Sequence, residues 1–353
     1  MKAFEKNIRK VEPYVPGEQP QHKVIKLNTN ENPYPPAPGV KTALMDMNVD
    51  KMRLYPDPTA GALVHTLAEY YGVDDSQVFV GVGSDDVLAM CFLTFFNSDK
   101  PILFPDITYS FYKVWAELYR IPYECPALDD NFKIVREDYY KENGGIIFPN
   151  PNAPTAIYEE LEFVEDILKH NQDVIVIVDE AYIDFAGKSA IELVNQYDNL
   201  IVVQTFSKAR SMAGMRIGYA ISNPTLIKYL NDAKYSFNSY TMNQTSLACG
   251  VEAVKDKAYF EEQVEKITET REWVKKELSE LGFTFPDSKS NFIFATHTKY
   301  QAKDLFEALK KADIYVRYFS GQRIQNYLRI TIGTREEMEV LISFLKEYIK
   351  NQK

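Results

Sequence analysis

The residue best suited to covalent chemistry in this sequence is Lys208, which closely follows the apolar run Ile-Val-Val at 201–203. A short, continuous, β-branched run is typical of a strand that is buried on both faces of a parallel sheet. Ligands of open α/β sheets bind beyond the carboxyl ends of the strands, where we expect Lys208 to lie. A lysine amine can condense with an aldehyde, but a lone lysine after a strand is usually a solvated surface residue. The neighbouring motifs are therefore needed to distinguish a reactive lysine from a surface lysine.

Three other segments place polar groups just after predicted strands. In GVGSDD (81–86) a glycine loop leads into a helix and can offer free backbone N–H groups to an anion. PNAPT (151–155) supplies an amide, and DEAY (179–182) supplies a carboxylate at the end of the clearest apolar strand. Each segment alone also fits a tight turn, a helix cap or a surface ion pair. Their order, with Lys208 after them, favours one shared site.

Pyridoxal phosphate is a cofactor that requires all of these groups, since it has an aldehyde, a ring nitrogen, a phenolic oxygen and a phosphate. Lys208 supplies the amine for the aldehyde, and Asp179 supplies the charge that keeps the ring nitrogen protonated. We expect Asn152 and Tyr182 to donate hydrogen bonds to the phenolic oxygen, and Tyr109 to stack on the ring. The expected phosphate ligands are Ser84, Asp85, Thr205, Ser207 and Arg216. We expect Lys208, Asp179 and Tyr182 to act in the chemistry itself.

The elements that must position these groups follow from the alternation of apolar runs and helical patterns. Runs at 78–80, 102–104, 146–148 and 174–178 alternate with helical segments. This rhythm predicts an α/β fold with a large, doubly wound, mostly parallel sheet that binds the cofactor. A smaller α+β domain is expected at the C-terminus and an extended arm at the N-terminus. The expected boundaries are 1–30 for the arm, 31–250 for the large domain and 251–353 for the small domain.

Composition excludes several classes of function. Hydrophobic residues make up 45% and charged residues 25% of the chain, as in ordinary soluble globular proteins. A net charge of -10 argues against nucleic-acid binding, which needs a basic surface. No secretory signal pattern or long apolar run is present, so we expect a cytoplasmic protein without a membrane segment. The scattered cysteines and histidines predict no metal site; they are Cys91, Cys125, Cys249, His22, His65, His170 and His297.

With these motifs in place, the sequence resembles the fold-type I pyridoxal-phosphate-dependent aminotransferases. Within them it is similar to the histidinol-phosphate aminotransferase family over nearly its whole length. The motifs that carry the resemblance are LNTNENP, YPDP, GVGSDD, DEAY, FSKARSMAGMRIGY and LRITIGT. The resemblance implies transamination between histidinol phosphate and 2-oxoglutarate, which gives imidazole-acetol phosphate and glutamate in histidine biosynthesis.

The resemblance also implies how subunits and substrates are held. It implies a homodimer in which Tyr55 of YPDP reaches the cofactor phosphate of the neighbouring subunit. It assigns Arg329 to the carboxylate of glutamate, and Arg317 and Tyr14 to the substrate phosphate, with Asn30 also in the substrate site. Two arginines and a tyrosine suit either anion, because guanidinium groups bind both carboxylate and phosphate with paired hydrogen bonds.

The sequence departs from the family pattern at three places and leaves alternatives open. The family motif PNNPTG is PNAPTA at 151–156, GSDE is GSDD at 83–86, and Gly321-Gln322-Arg323 stands where Pro-Gly is usual. An aromatic amino-acid aminotransferase is the nearest alternative function, since Arg329 and an apolar pocket would also serve phenylalanine. A phosphothreonine-type decarboxylase and a non-catalytic cofactor-binding protein are further alternatives.

Overall fold

The computed structural model describes residues 2–352. The strands of this part of the chain are β1 (Ile25–Lys26), β2 (Val78–Gly81), β3 (Ile102–Leu103), β4 (Tyr123–Glu124), β5 (Ile146–Pro149), β6 (Val176–Asp179), β7 (Leu200–Thr205), β8 (Gly218–Ser222), β9 (Phe283–Thr284), β10 (Phe292–His297), β11 (Ile314–Tyr315), β12 (Arg317–Tyr318) and β13 (Tyr327–Thr331). Its α-helices are α1 (Pro38–Met45), α2 (Gly61–Tyr71), α3 (Ser84–Phe95), α4 (Phe111–Tyr119), α5 (Leu161–His170), α6 (Pro224–Phe237), α7 (Gln244–Lys255), α8 (Lys257–Glu280), α9 (Ala302–Lys311) and α10 (Arg335–Asn351).

Seven strands form the large sheet in the order β2-β8-β7-β6-β5-β3-β4. The strands from β7 to β4 are parallel to one another, whereas β8 lies antiparallel between β2 and β7. Alternate residues of one strand enter different hydrophobic clusters: Val176 and Val178 join one cluster and Ile177 the other. Because the side chains of a strand alternate between the faces of the sheet, each face has its own core. This confirms the predicted doubly wound α/β architecture.

The register of the sheet brings the polar strand ends together. Pro149 at the end of β5 is paired with Asp179, the last residue of β6. Thr205 at the end of β7 and Gly81 at the end of β2 are both paired with Gly218, the first residue of β8. The loops that follow these four strands therefore leave from one edge of the sheet, where open α/β sheets bind ligands.

A second sheet of four antiparallel strands, in the order β12-β13-β10-β9, lies in the C-terminal third of the chain. Its core is shared with α8, α9 and α10. A short parallel pair joins β1 of the N-terminal segment to β11, so residues 25–26 are hydrogen-bonded to the C-terminal third of the chain. The predicted domain boundary after residue 250 falls inside α7. No helix within residues 2–352 has the length and apolar character needed to cross a membrane.

Candidate active site

Two adjoining cavities share the side chain of Lys208. The first we call the strand-end cavity; its distinctive lining residues are Ser84, Asp85, Asp179, Thr205, Ser207 and Arg216. The second we call the arginine cavity; its distinctive lining residues are Tyr14, Asn28, Asn30, Arg317, Phe319 and Arg329. Both cavities are lined by Thr29, Tyr109, Ala153, Tyr182 and Lys208. The folded chain therefore gathers most of the predicted site residues around one lysine.

Groups suited to an anion converge at one end of the strand-end cavity. Ser84 is the first residue of α3, a helix of 12 residues whose N-terminus lacks a side-chain cap. The Thr205 hydroxyl lies 3.0 Å from the Ser207 hydroxyl, which in turn lies 3.4 Å from Nη1 of Arg216. Free N–H groups at a helix N-terminus, two hydroxyls and a guanidinium are together the groups that bind a phosphate.

Two glycines allow these groups to approach one another. Gly83 precedes α3 with a φ of 86°, and a Cβ atom there would overlap the guanidinium of Arg216. A Cβ atom on Gly218 would overlap the backbone nitrogen of Ser84. Since L side chains rarely adopt such a φ, the glycine loop of GVGSDD is needed for the geometry of this anion site.

Asp179 lies at the floor of the strand-end cavity with only 4% of its surface exposed. Burial raises the pKa of its carboxyl to about 6, and the hydrogen bond from Tyr112 opposes that shift. The Tyr112 hydroxyl donates to Oδ2 at 2.7 Å, and the Ala181 N–H donates to Oδ1 at 3.3 Å. A buried carboxylate without a charged partner is unfavourable, so the site suits a cationic group such as a protonated ring nitrogen.

Tyr109 forms part of the wall of both cavities. Its hydroxyl donates to Oδ1 of Asp85 at 2.8 Å, while Oδ2 of Asp85 lies 3.5 Å from Nη2 of Arg216. Burial raises the pKa of the Tyr109 hydroxyl, so the tyrosine stays protonated and the hydrogen bond to Asp85 is retained at neutral pH. The ring is also braced edge-on by Tyr112, with ring centres 5.8 Å apart.

Asn152 lies outside both cavities, unlike the other strand-end residues predicted for this subunit. Its amide hydrogens are both used, one by the carbonyl of Ile107 and one by the hydroxyl of Thr155, each at 3.0 Å. Its amide oxygen accepts from the Thr108 hydroxyl at 3.1 Å. Asn152 therefore ties two loops together, and Ala153, which has no side-chain donor, occupies the cavity wall instead.

The amine of Lys208 has few competing partners. Nζ donates to the carbonyl of Thr29 at 3.3 Å and lies 5.7 Å from the centre of the Tyr182 ring. Within residues 2–352 no carboxylate lies close enough to form an ion pair with it. The amine is thus partly buried, held on the boundary between the two cavities and available for reaction.

The arginine cavity presents unneutralised positive charge. Arg317 and Arg329 line it together with Tyr14, and in the described part of the chain neither arginine has a carboxylate partner. Nη2 of Arg329 donates to the carbonyl of Asn28 at 2.9 Å, but its buried Nε has no hydrogen-bond partner. Burial lowers the pKa of Arg329, although an arginine stays charged at neutral pH. These features suit the binding of an anionic substrate.

Three consecutive residues of the N-terminal segment each contact a different predicted site residue. The carbonyl of Asn28 accepts from Arg329, and the carbonyl of Thr29 accepts from Lys208. The side-chain Nδ2 of Asn30 donates to the hydroxyl of Tyr182 at 2.8 Å. Asn30 has a φ of 56°, a conformation that asparagine tolerates better than most residues. We name residues 28–30 the bridging segment.

Tyr55 lies away from both cavities of its own chain. Its side chain is 80% exposed and stacks on Tyr240 with ring centres 4.5 Å apart. Other exposed apolar side chains close to it in sequence are Val49, Met52 and Leu54. The side chain of Tyr55 therefore lies on the surface of the chain, apart from the residues that line the two cavities.

Two residues at the site were not predicted from the sequence, Tyr112 and Thr331. Tyr112, which holds Asp179, lies on α4 among other aromatic residues, and its sequence position gave no sign of this contact. Thr331, which bonds Asn30, is two residues after Arg329 on β13. Alternate strand residues share a face, so the motif LRITIGT carried this signal.

Comparison with known proteins gives matches over nearly the whole chain. Residues 22–345 match the family model of class I and II aminotransferases. The chain is 50% identical over 351 residues to a histidinol-phosphate aminotransferase of Clostridium beijerinckii, covering 99% of this chain and 98% of the relative. It is 51% identical to a histidinol-phosphate aminotransferase of Brachyspira hyodysenteriae, with 99% of this chain and 100% of the relative covered.

A solved structure shows the same fold. The histidinol-phosphate aminotransferase of Sinorhizobium meliloti in complex with pyridoxal 5′-phosphate superposes with a TM-score of 0.85 at 23% identity, covering 94% of this chain and 92% of that one. An identity this low bears on the fold alone, whereas the relatives at about half identity bear on the family. The chain belongs to the class I and II aminotransferases and, within them, to the histidinol-phosphate aminotransferase family.

Proposed function

We propose that this protein is a pyridoxal-phosphate-dependent aminotransferase that exchanges the amino group between glutamate and histidinol phosphate in histidine biosynthesis. The observation that carries the proposal is the sharing of Lys208 between two cavities of different character. One cavity combines a phosphate cradle with the buried Asp179, and the other contains two arginines without carboxylate partners. One reactive amine therefore faces a cofactor on one side and an anionic substrate on the other.

The strand-end cavity fits pyridoxal phosphate in the chemistry of its donors. Ser84, Thr205, Ser207 and Arg216 would hold the phosphate, Asp179 would pair with the ring nitrogen, and the hydroxyl of Tyr182 would face the phenolic oxygen. When bound, the cofactor supplies an electron-accepting ring that stabilises negative charge on the substrate Cα. The protein's contribution is to fix the position and the charge of each group around that ring.

Lys208 has two tasks in the proposed reaction. Its amine would hold the cofactor through the aldehyde in the resting enzyme, and the amino group of the substrate would release it. Once free, the unprotonated Nζ would act as the base that takes the proton from the substrate Cα and as the acid that returns it on the cofactor side. The 3.3 Å contact with the carbonyl of Thr29 holds the amine at the boundary of the two cavities, within reach of a group bound in either.

The arginine cavity would select the two anionic substrates in turn. We assign the α-carboxylate of glutamate to Arg329, and the phosphate of histidinol phosphate to Arg317 and Tyr14, with Arg329 completing the set. Tyr14 is held by stacking on Phe111 at 4.2 Å, and Arg317 donates to the carbonyl of Val15 at 3.3 Å. The N-terminal segment and β12 would thus bind the phosphate together.

Replacing Arg317 with alanine separates this function from that of an aromatic aminotransferase. We expect kcat/KM for histidinol phosphate to fall by roughly 10- to 100-fold, the effect of losing a charge-assisted hydrogen bond. The value for phenylalanine should change little, because its carboxylate is assigned to Arg329. Coupled assays of 2-oxoglutarate consumption with each amino donor measure both values.

Arg335, which lines neither cavity, provides the matched control: Arg335→Ala should leave both values near those of the parent protein. Equal losses for the two donors after Arg317→Ala would contradict the assignment of the phosphate to Arg317. A parent protein that transaminates phenylalanine faster than histidinol phosphate would favour the aromatic alternative. Release of carbon dioxide from a phosphorylated amino acid would instead support a decarboxylase.

We further propose that the enzyme is a homodimer in which Tyr55 completes the cofactor site of the neighbouring subunit. The exposed position of Tyr55 and its apolar neighbours support this assignment. Co-expression of Lys208→Ala subunits with Tyr55→Ala subunits should then give more activity than the two variants separately, because each mixed dimer has one intact site. Activity no greater than the sum of the two, or a monomer in sedimentation, would contradict it.

A cytoplasmic location is also proposed. Cys91, Cys125 and Cys249 are all free thiols in the structure, which is usual for proteins of a reducing compartment. Recovery of the activity in the soluble fraction of gently lysed cells, rather than in a secreted or membrane fraction, would support this location.

A further inference from the structure

The hydroxyl of Tyr182 is held in one orientation by two residues that lie behind it. Asn30 and Thr331 are each 1% exposed, and Tyr182 is 8% exposed. The backbone N–H of Asn30 donates to the Thr331 hydroxyl at 3.0 Å, and the Thr331 hydroxyl lies 3.0 Å from the amide oxygen of Asn30. The side-chain Nδ2 of Asn30 lies 2.8 Å from the hydroxyl oxygen of Tyr182. Three buried contacts thus form one continuous chain.

The direction of each hydrogen bond in this chain follows from the groups themselves. A backbone N–H can only donate, so the Thr331 oxygen accepts from Asn30. The Thr331 proton then goes to the amide oxygen of Asn30, which fixes the orientation of the amide and leaves its nitrogen to donate to Tyr182. Since the Tyr182 oxygen accepts this bond, its own proton is directed elsewhere, and Tyr182 lines both cavities.

The orientation matters because of what Asn152 does. Both amide hydrogens of Asn152 are used in holding loops together, and Ala153 takes its place at the cavity wall. The task of donating to the phenolic oxygen of the cofactor therefore falls on Tyr182. We propose that Thr331 and Asn30 are positioning residues that aim the Tyr182 proton at this oxygen. The inference rests on the proposed function, since it requires bound pyridoxal phosphate.

The proposal predicts a spectroscopic change that needs no substrate. The visible absorbance depends on whether the nitrogen that joins Lys208 to the cofactor is protonated. A hydrogen bond to the phenolic oxygen stabilises the negative charge there, weakens its attraction for that proton and therefore lowers the pKa of this nitrogen. Tyr182→Phe should raise that pKa by about one pH unit, as expected when a charged acceptor loses a hydrogen bond. Thr331→Val, which releases the Asn30 amide, should raise it by roughly half as much.

The test is a pH titration of the visible absorbance of the protein loaded with pyridoxal phosphate. Thr331→Ser keeps the hydroxyl and should titrate like the parent protein. The decisive comparison is Thr331→Val in a Tyr182→Phe background. No further pKa shift is expected there, because the Tyr182 hydroxyl that Thr331 and Asn30 orient is absent. A general effect of Thr331→Val on packing or charge would persist there.

Two results would overturn the inference: a Thr331→Val titration identical to that of the parent, or a shift that survives undiminished in the Tyr182→Phe background. Should Thr331→Val fail to fold, Asn30→Gly carries the same double-variant comparison, since glycine accepts the φ of 56° at this position. A parent protein that forms no visible band with pyridoxal phosphate would refute the proposed function together with this inference.

Discussion

Replacing Lys208 with alanine is expected to lower kcat for transamination by at least about 10⁴-fold, the upper range for loss of a positioned acid–base group. In the proposed reaction the variant lacks both the amine that attaches to the cofactor and the base that moves the proton from the substrate Cα. Within residues 2–352 no other lysine lines either cavity, so no neighbouring amine can substitute for it. Single-turnover assays with glutamate measure the loss directly.

Two further variants distinguish chemistry from charge. Lys208→Arg keeps the positive charge, but an arginine stays protonated and cannot serve as nucleophile or base, so we expect it to be as inactive as Lys208→Ala. Lys276 is an exposed lysine on α8, and Lys276→Ala should retain the parent activity. A Lys208→Ala protein that completes repeated turnovers would contradict the assignment of this residue.

Replacing Asp179 with asparagine is expected to change activity and stability in opposite directions. The variant has nearly the same shape but cannot carry the charge that keeps the ring nitrogen protonated. We expect kcat to fall by roughly 10²- to 10³-fold, the range for removing one group that stabilises charge in the transition state. Steady-state assays with glutamate at saturating pyridoxal phosphate measure this loss, and saturation excludes weak cofactor binding as its cause.

The stability of the cofactor-free protein should rise in the same variant. Because burial raises the pKa of Asp179 to about 6, the folded protein binds this proton more tightly than the unfolded chain does. The resulting stabilisation is complete below the ordinary pKa of 3.8 and is lost as the pH rises through about 6. An asparagine does not titrate, so Asp179→Asn should become more stable relative to the parent protein over this range, by about 3 kcal/mol at neutral pH and above for a pKa raised from 3.8 to about 6.

Urea unfolding of the cofactor-free proteins at several pH values between about 4 and 8 measures this difference. Asp173→Asn, at an exposed position between α5 and β6, is the matched control and should show no pH-dependent gain. A difference between parent and Asp179→Asn that stays constant with pH would mean that Asp179 has no raised pKa. Unchanged kcat would mean that its charge takes no part in the reaction.

The architecture could be predicted from the sequence wherever a strand is a continuous apolar run. Apolar runs predict β2, β5, β6 and β7, because a strand covered on both faces needs a continuous apolar run. The strand β8 (Gly218–Ser222) was not predicted, since its five residues include a glycine and a serine. It is fully buried because it lies between β2 and β7 and its side chains enter the cores on both faces of the sheet, causes that lie outside its own sequence.

The site was predictable to the extent that sheet register determines it. Asp179 and Thr205 end strands, so their convergence follows from the order of the strands. Tyr112 and Thr331 act through contacts with other parts of the chain, and no single motif contains both partners. The residue type of Asn152 indicated that its side chain forms hydrogen bonds. The orientation of that side chain depends on its contacts with Ile107 and Thr155, which only the folded structure shows, and these contacts direct it away from the cavities.

The bridging segment has a consequence for how this enzyme can vary. The reactive amine belongs to the large sheet and Arg329 to the small one, yet both are hydrogen-bonded to adjacent residues of one short peptide. Their separation is therefore set by covalent spacing along residues 28–30 as well as by the packing of the two sheets. The length of this segment is therefore constrained as well as its side chains: one residue more or fewer would displace Arg329, Lys208 and Tyr182 relative to one another in a single step.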